Sequence, residues 1–323
     1  MSGTPLRVAF AGLAHSHPYT DAANVRALGA EVVGVHDADT AAAGEFAARF
    51  GGVVVASLEE LAVLRPDLVI ATPRPHEVAP FLQSLGGGVA PVFVNKVIAA
   101  TSAQLAEVDR ALAASSVPVG TSSVLRFAPA LSALAAEVAP FLQTLDDVLA
   151  LRVHAQHDNA GFRLPARSWQ DDPQQGGGTA VTVGVHAWEM VDVLLPGATL
   201  VSGSGWTRVR RGSSTVSEGG VSEDAVGIEG LLRVPGAQRE VPVQVLVTGT
   251  PGPDAYTLEV VTADGIRALA LDVDDANTEL GFHGLIRALL DAAAHGATVA
   301  PWTSARVVVA NTIHAADIAR GQA

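Results

Sequence analysis

The chain has 323 residues, 49% hydrophobic and 16% charged, which is the balance of packed globular material and long enough for two cores. Its 33 acidic residues outnumber 20 basic ones, for a formal charge of -13, so no basic excess exists to neutralise nucleic-acid phosphates. The absence of cysteine excludes disulfides, thiolate metal ligands and a cysteine nucleophile and fits a cytoplasmic protein, while the opening MSGTPLRVAF lacks a signal-peptide core and no apolar run reaches the roughly 20 residues that span a bilayer.

Residues 6–11 read as a short buried strand, 19–28 as a helix ended by Gly29, and Glu31–His36 as the next strand. Thr40–Phe50 is helical and stops at Gly51 and Gly52; 53–56 is a brief strand; Ser57 caps a helix over 58–64, with Glu60 completing a capping box. Strand 67–71, a helix around 77–85, strand 91–95, helix 102–114 and strand 117–121 continue the rhythm. Short apolar strands alternating with helices specify a parallel sheet covered on both faces, so residues 1–122 are expected to form a doubly wound α/β domain.

After Arg126 the texture changes. One helix is followed by strands expected at 148–157, 207–211, 225–234, 241–248, 256–262 and 266–271, joined by turns such as TADG and TGTPGPD. This succession predicts an α+β domain over 123–323 built on a large, mainly antiparallel open sheet, with helices near 279–295 and 304–319 closing the chain. RGSSTVSEGG reads as a mobile tip, and SWQDDPQQGGG as a long loop before a helix.

The first strand runs into AFAGLAHSHPYTD. In a dinucleotide fold the first loop glycine permits the tight turn, the second lets backbone approach pyrophosphate, and the third lets the helix pack closely; here Gly12 supplies the first, and Ala14 and His17 take the other two places. Alone, that is as much an ordinary turn as a fingerprint. Its context favours a cofactor loop over Gly12, Leu13, Ala14 and His15, because the next strand leads to Asp37, whose carboxylate is placed to accept both ribose hydroxyls. No lysine or arginine follows Asp37 to meet a 2′-phosphate, and Asp39 stands nearby, so NAD is expected over NADP.

Two more strand ends address the same crevice. VIATPRPH places Thr72, Pro73 and His76 after one strand, and VFVNKV places Asn95 and Lys96 after the next. A lysine there either faces a ligand or emerges at the rim. His15 and His17 lack the cysteines or clustered carboxylates that would complete a metal set, and no metal is expected.

With Gly12, Asp37, ATPRPH, Lys96, LRFAP, SWQDDPQQGGG and GVHAWE in this order, almost the whole chain resembles the glucose-fructose oxidoreductase and inositol dehydrogenase family. The resemblance implies an N-terminal Rossmann domain, a C-terminal α/β domain with a large open sheet, and hydride transfer between a nicotinamide cofactor and a sugar, polyol or related alcohol. Where the family carries glutamate-lysine-proline, this chain has Asn95, Lys96 and Val97, and the matching Lys96 is implied to bind the reacting hydroxyl. Arg126 matches an arginine that serves either substrate or a structural ion pair.

GGGTAVTVGVHAWEM resembles the family pattern in which triple glycine precedes an aspartate and then, four residues on, a histidine; His186 is kept, and Thr182 stands where the aspartate would be. Threonine hydrogen-bonds but holds no charge to favour imidazolium. The implied mechanism makes His186 the general base for alcohol oxidation, with Lys96 stabilising the alkoxide as hydride leaves for NAD, and the roles reversed in reduction. The other reading of His186 is a buried histidine satisfied by backbone or by Glu189. His154, His157 and Trp169 either line the substrate pocket or are structural.

Two other functions stay open: a nucleotide-binding member with weak or lost dehydrogenase activity in a sensor or assembly role, or an enzyme using bound NAD for transient oxidation during elimination or hydrolysis. The open sheet face predicts a homodimer or homotetramer.

Overall fold

The computed structural model describes residues 4–85, 90–143, 145–210 and 222–322. RGSSTVSEGG, expected as a mobile tip, lies outside the described residues. The chain divides into two compact units, one of Met1–Ile98, Ala103–Ser122 and Phe282–Ala305, the other of Ala99–Ser102, Ser123–Gly281 and Arg306–Ala323.

The first unit alternates strand and helix: β1 (Arg7–Ala11), α1 (His17–Ala27), β2 (Glu31–His36), α2 (Thr40–Phe50), β3 (Val53–Val54), α3 (Leu58–Val63), β4 (Leu68–Ala71), α4 (Pro75–Ser84), β5 (Val92–Val94), α5 (Ser102–Ala113) and β6 (Val119–Gly120). Its strands form one parallel sheet in the order β3-β2-β1-β4-β5-β6. Val8, Phe10, Leu68, Ile70, Val92 and Phe93 are fully buried in its centre, as strands covered on both faces require. Asp39 accepts the amides of Ala41 and Ala42, so the carboxylate expected to discourage a 2′-phosphate is the cap of α2. Ser57 caps α3 as expected, accepting the amide of Glu60, whose own carboxylate takes the amide of Ala56. Phe10, Tyr19, Phe46 and Phe50 form an aromatic cluster joining β1, α1 and α2.

The second unit contains α6 (Pro129–Leu142), β7 (Val148–Gln156), α7 (Ser168–Asp171), α8 (Gly178–Thr182), α9 (Gly184–Leu194), β8 (Thr199–Arg208), β9 (Ala225–Arg233), β10 (Glu240–Thr248), β11 (Ala255–Thr262), β12 (Gly265–Ala270) and α10 (Ala276–Glu279). The sheet order is β12-β11-β7-β10-β9-β8, antiparallel throughout except for the parallel β7–β10 pair. Along β10, Val241, Val243, Val245 and Val247 are buried while Pro242, Gln244 and Leu246 are exposed. This period-2 pattern gives the sheet one covered face and one open face. Helix α9, buried along nearly all its length, packs on the covered face against β7, β10 and β11.

The strand expected at 207–211 is the end of a longer one, β8. Its glycines and serines disguise it, yet they are what the pairing needs. A β-carbon at Gly203 would lie 2.8 Å from the Glu229 carbonyl oxygen of β9. The helix expected at 279–295 divides into α10 and α11 (Phe282–Ala293), the latter packing on α1 and β4 in the first unit. Helix α12 (Trp302–Arg320) closes the chain. Among the described residues no helix is long and apolar enough to cross a membrane.

Candidate functional site

In the first unit the strand order reverses between β1 and β4, the point where open α/β sheets take ligands beyond their carboxyl ends. Gly12 follows β1 with φ of +82°, and a β-carbon there would sit 2.8 Å from the Thr72 carbonyl oxygen. Only glycine lets the loop after β1 approach the end of β4 this closely. Asp37, half-buried after β2, closes the loop from the other side: its Oδ2 accepts the Leu13 amide at 2.6 Å and its Oδ1 the Asp39 amide at 2.7 Å. A carboxylate oxygen has room for a second donor, so these bonds aim the group without exhausting it. Loop and carboxylate thus stand together at the carboxyl ends of β1 and β2.

Loop amides are in demand. Gly12 N donates to the His36 carbonyl, Ala14 N to the Thr72 carbonyl and His17 N to His15 Nδ1, while Pro18 brings no donor to the first turn of α1. At the place where the fingerprint's third glycine would stand, the His17 ring packs edge-on against Phe282 of α11 at 5.2 Å and against His15 at 4.6 Å. His17 is thus housed by a helix that returns from far along the chain, a partner invisible in the local sequence.

The ends of β4 and β5 are tied by a buried network. Asn95 Nδ2 donates to Thr72 Oγ1 at 2.9 Å and to Asp21 Oδ2 of α1 at 3.0 Å. Asp21 is fully buried, its Oδ1 has no partner among the described residues, and desolvation pushes its carboxyl up to about 7 against the opposing bond from Asn95. Half-buried Lys96 follows directly, joined to Val97 by a cis peptide. Pro73 is half-buried, whereas His76 is exposed on α4, 3.8 Å from Glu77.

In the second unit the polar centre lies on α9. His186 is 6% exposed; its Nδ1 is 2.6 Å from Ser123 Oγ, and its ring lies 5.3 Å from that of Tyr256 on β11. Glu189 has partners of its own. One turn along, it accepts the Ser123 amide at 2.8 Å and pairs with Arg126, whose guanidinium also binds Asp192. Burial works against the Arg126 charge, but the two carboxylates outweigh it and raise its pKa. The ion-pair alternative for Arg126 therefore has its partners.

Thr182 and His186 do not share one unbroken helix, because the chain turns at Val183 between α8 and α9. The Thr182 hydroxyl donates to the Gly176 carbonyl at 2.9 Å, bracing the glycine-rich turn. His157 Nδ1 meets Asp254 Oδ1 at 2.7 Å and its ring stacks on Phe162. Trp169 is buried, with its indole nitrogen unpartnered among the described residues. His154 belongs elsewhere: it bonds Thr248 Oγ1 at 2.9 Å beside a hollow of about 430 Å³ on the open sheet face. Burial lowers its pKa. Among the described residues no three histidines or carboxylates cluster to hold a metal.

Sequence reasoning missed Ser123 and Asp21. Ser123 follows an apolar strand and precedes LRF, which marks it as a cap; it does accept the Leu125 amide at 3.1 Å. Nothing local signals its second role at His186.

No family model and no curated protein sequence matches the chain. Solved structures match it over nearly its full length. GenD2 from gentamicin A biosynthesis, in complex with NAD, superposes with a TM-score of 0.77 at 19% identity, covering 98% of this chain and 94% of that one. A myo-inositol dehydrogenase from Corynebacterium glutamicum gives 0.74 at 16% identity, covering 98% and 97%. Myo-inositol 2-dehydrogenase from Lactobacillus plantarum gives 0.76 at 13% identity, covering 99% and 96%. The chain has the two-part α/β fold of these structures.

Proposed function

We propose that this chain is a member of the glucose-fructose oxidoreductase and inositol dehydrogenase family, a nicotinamide-dependent oxidoreductase that moves hydride between NAD and a sugar, polyol or related hydroxy compound. The observation that carries the reading is the junction of Gly12, Asp37 and Thr72 at the reversal point of a six-stranded parallel sheet. Its fold is shared with a structure solved with NAD and with inositol dehydrogenases.

NAD, when bound, would supply the hydride acceptor. In this reading Leu13, Ala14 and His15 line its pyrophosphate, and Asp37 takes the ribose hydroxyls and repels a 2′-phosphate, with Thr72, Pro73, His76 and Asn95 along the same edge. Lys96 and His186 serve the reacting oxygen, Lys96 by its positive charge and His186 through a ring nitrogen; Thr182, Arg126, His157 and Trp169 position substrate or hold the residues that do.

The test is NAD affinity by calorimetry together with NADH absorbance over a panel of inositols, sugars and polyols. NAD binding and NADH formation with at least one member are expected. His186→Ala should keep NAD affinity and lower kcat by about 100-fold or more. No NAD binding, or full turnover in His186→Ala, would overturn the assignment.

A further inference from the structure

We infer that Ser123 fixes the tautomer of His186, so that its Nδ1 is an acceptor and its Nε2 carries the ring proton. The inference starts from the hydrogens that Ser123 has to place. Ser123 is fully buried, out of reach of bulk solvent, so its hydroxyl hydrogen calls for an acceptor from the protein. Among the described residues its Oγ has two hydrogen-bond contacts: the Leu125 amide, which donates to it at 3.1 Å, and His186 Nδ1 at 2.6 Å. An amide only donates. Among the described residues the hydroxyl therefore has one acceptor within reach, the lone pair of Nδ1. The opposite arrangement, with Nδ1–H donating to Oγ, fills both Oγ lone pairs and leaves the hydroxyl hydrogen buried without a partner.

The serine is itself immobilised. Its amide donates to Glu189 Oε2 at 2.8 Å, and Glu189 lies three residues beyond His186 on α9, so the helix grips Ser123 through two successive side chains. Arg126 then holds the Glu189 carboxylate in place. A neutral hydroxyl that donates to Nδ1 thus orients the ring. Ser123 is a positioning residue.

The use of this tautomer rests on the proposed dehydrogenase function. In its resting form His186 serves the reacting oxygen as a hydrogen-bond donor, the form suited to a carbonyl. Base action at Nε2 requires the ring proton to move first to Nδ1, with Ser123 turning from donor to acceptor.

The test uses the full chain labelled with 15N in its histidines, in two-bond proton–nitrogen spectra recorded above the titration range of histidine; His186→Gln identifies the signals. Expected in the unaltered protein are a non-protonated Nδ1 and a protonated Nε2. Ser123→Ala should shift the pattern towards a mixture of tautomers, and Ser123→Thr should restore it. In turnover, Ser123→Ala should lower kcat for carbonyl reduction by about tenfold, the worth of one such hydrogen bond, without changing KM for the cofactor. A protonated Nδ1 in the unaltered protein overturns the inference even if the alanine variant does not fold, as does an unchanged spectrum in a folded one. The spectra need neither cofactor nor substrate. A protein with the expected tautomer and no turnover would fail the dehydrogenase assignment alone, and one that turns over with Nδ1 protonated would fail the tautomer alone.

Discussion

Asp21 is a buried acid: one oxygen accepts from Asn95, and among the described residues the other has no hydrogen-bond partner. Its carboxyl, pushed up to about 7 from 3.8 by desolvation, binds its proton more tightly folded than unfolded. Its contribution to stability is therefore fully present below the unfolded value and is lost as pH rises through about 7. The loss is on the order of 4 kcal/mol. Asp21→Asn keeps an oxygen acceptor for Asn95 and removes the ionisation, so its urea stability should fall less between pH 4 and pH 8 than that of the unaltered protein, with the advantage greatest at pH 8. Parallel pH profiles would show that Asp21 is not buried as described. Gly12, Asp37 and Lys96 were legible as candidates because strand ends advertise them. Asp21 was not, since a carboxylate in an alanine-rich helix looks solvated until the position of Asn95, 74 residues on, is known.

At the scale of elements, the loop between β1 and α1 is set by one close approach. Gly12→Ala introduces a β-carbon 2.8 Å from the Thr72 carbonyl oxygen in a backbone conformation that costs an L-residue about 1–2 kcal/mol. The loop must move away from β4, carrying with it the Leu13 amide that aims Asp37. The expected outcome is an NAD affinity at least tenfold lower in a protein that still folds, measured by calorimetry beside a thermal melt. Undiminished affinity would show that the approach of loop to strand does not shape the cofactor site. The strands and helices of the first unit follow directly from apolar runs and caps. β8 did not, because its Ser-Gly-Ser-Gly core carries no β signal and is chosen for the approach of β9 instead. The break at Val183 was likewise hidden: a spacing of four suggests one helical face, and only the turn between α8 and α9 reassigns the Thr182 hydroxyl to the glycine-rich loop.

At the scale of the whole molecule, the open face of the second sheet is the largest feature left without a role. Leu149, Trp206, Leu231, Leu246 and Ile266 stand on its strands between 36% and 56% exposed, and Trp206 and Leu246 border the 430 Å³ hollow. Monomeric proteins rarely leave a broad apolar sheet face in water, and a second copy related by a two-fold axis would cover it with its own equivalent. Two polar pairs on this face already bond within it, Arg152 with Glu259 at 3.2 Å and Gln244 with Glu229 at 3.3 Å, so these need not be stripped of bonds on pairing. This face is accordingly proposed as the self-association surface of a homodimer or homotetramer. A two-fold contact counts every substitution twice, so Leu246→Glu, which places two carboxylates in one apolar seam, should weaken association by roughly 100-fold or more. Light scattering across a dilution series is the measurement: the unaltered chain should hold its assembled mass at micromolar concentration while the variant runs as a smaller species. A monomeric native chain would remove the proposal, and an unshifted variant would move the contact to another face.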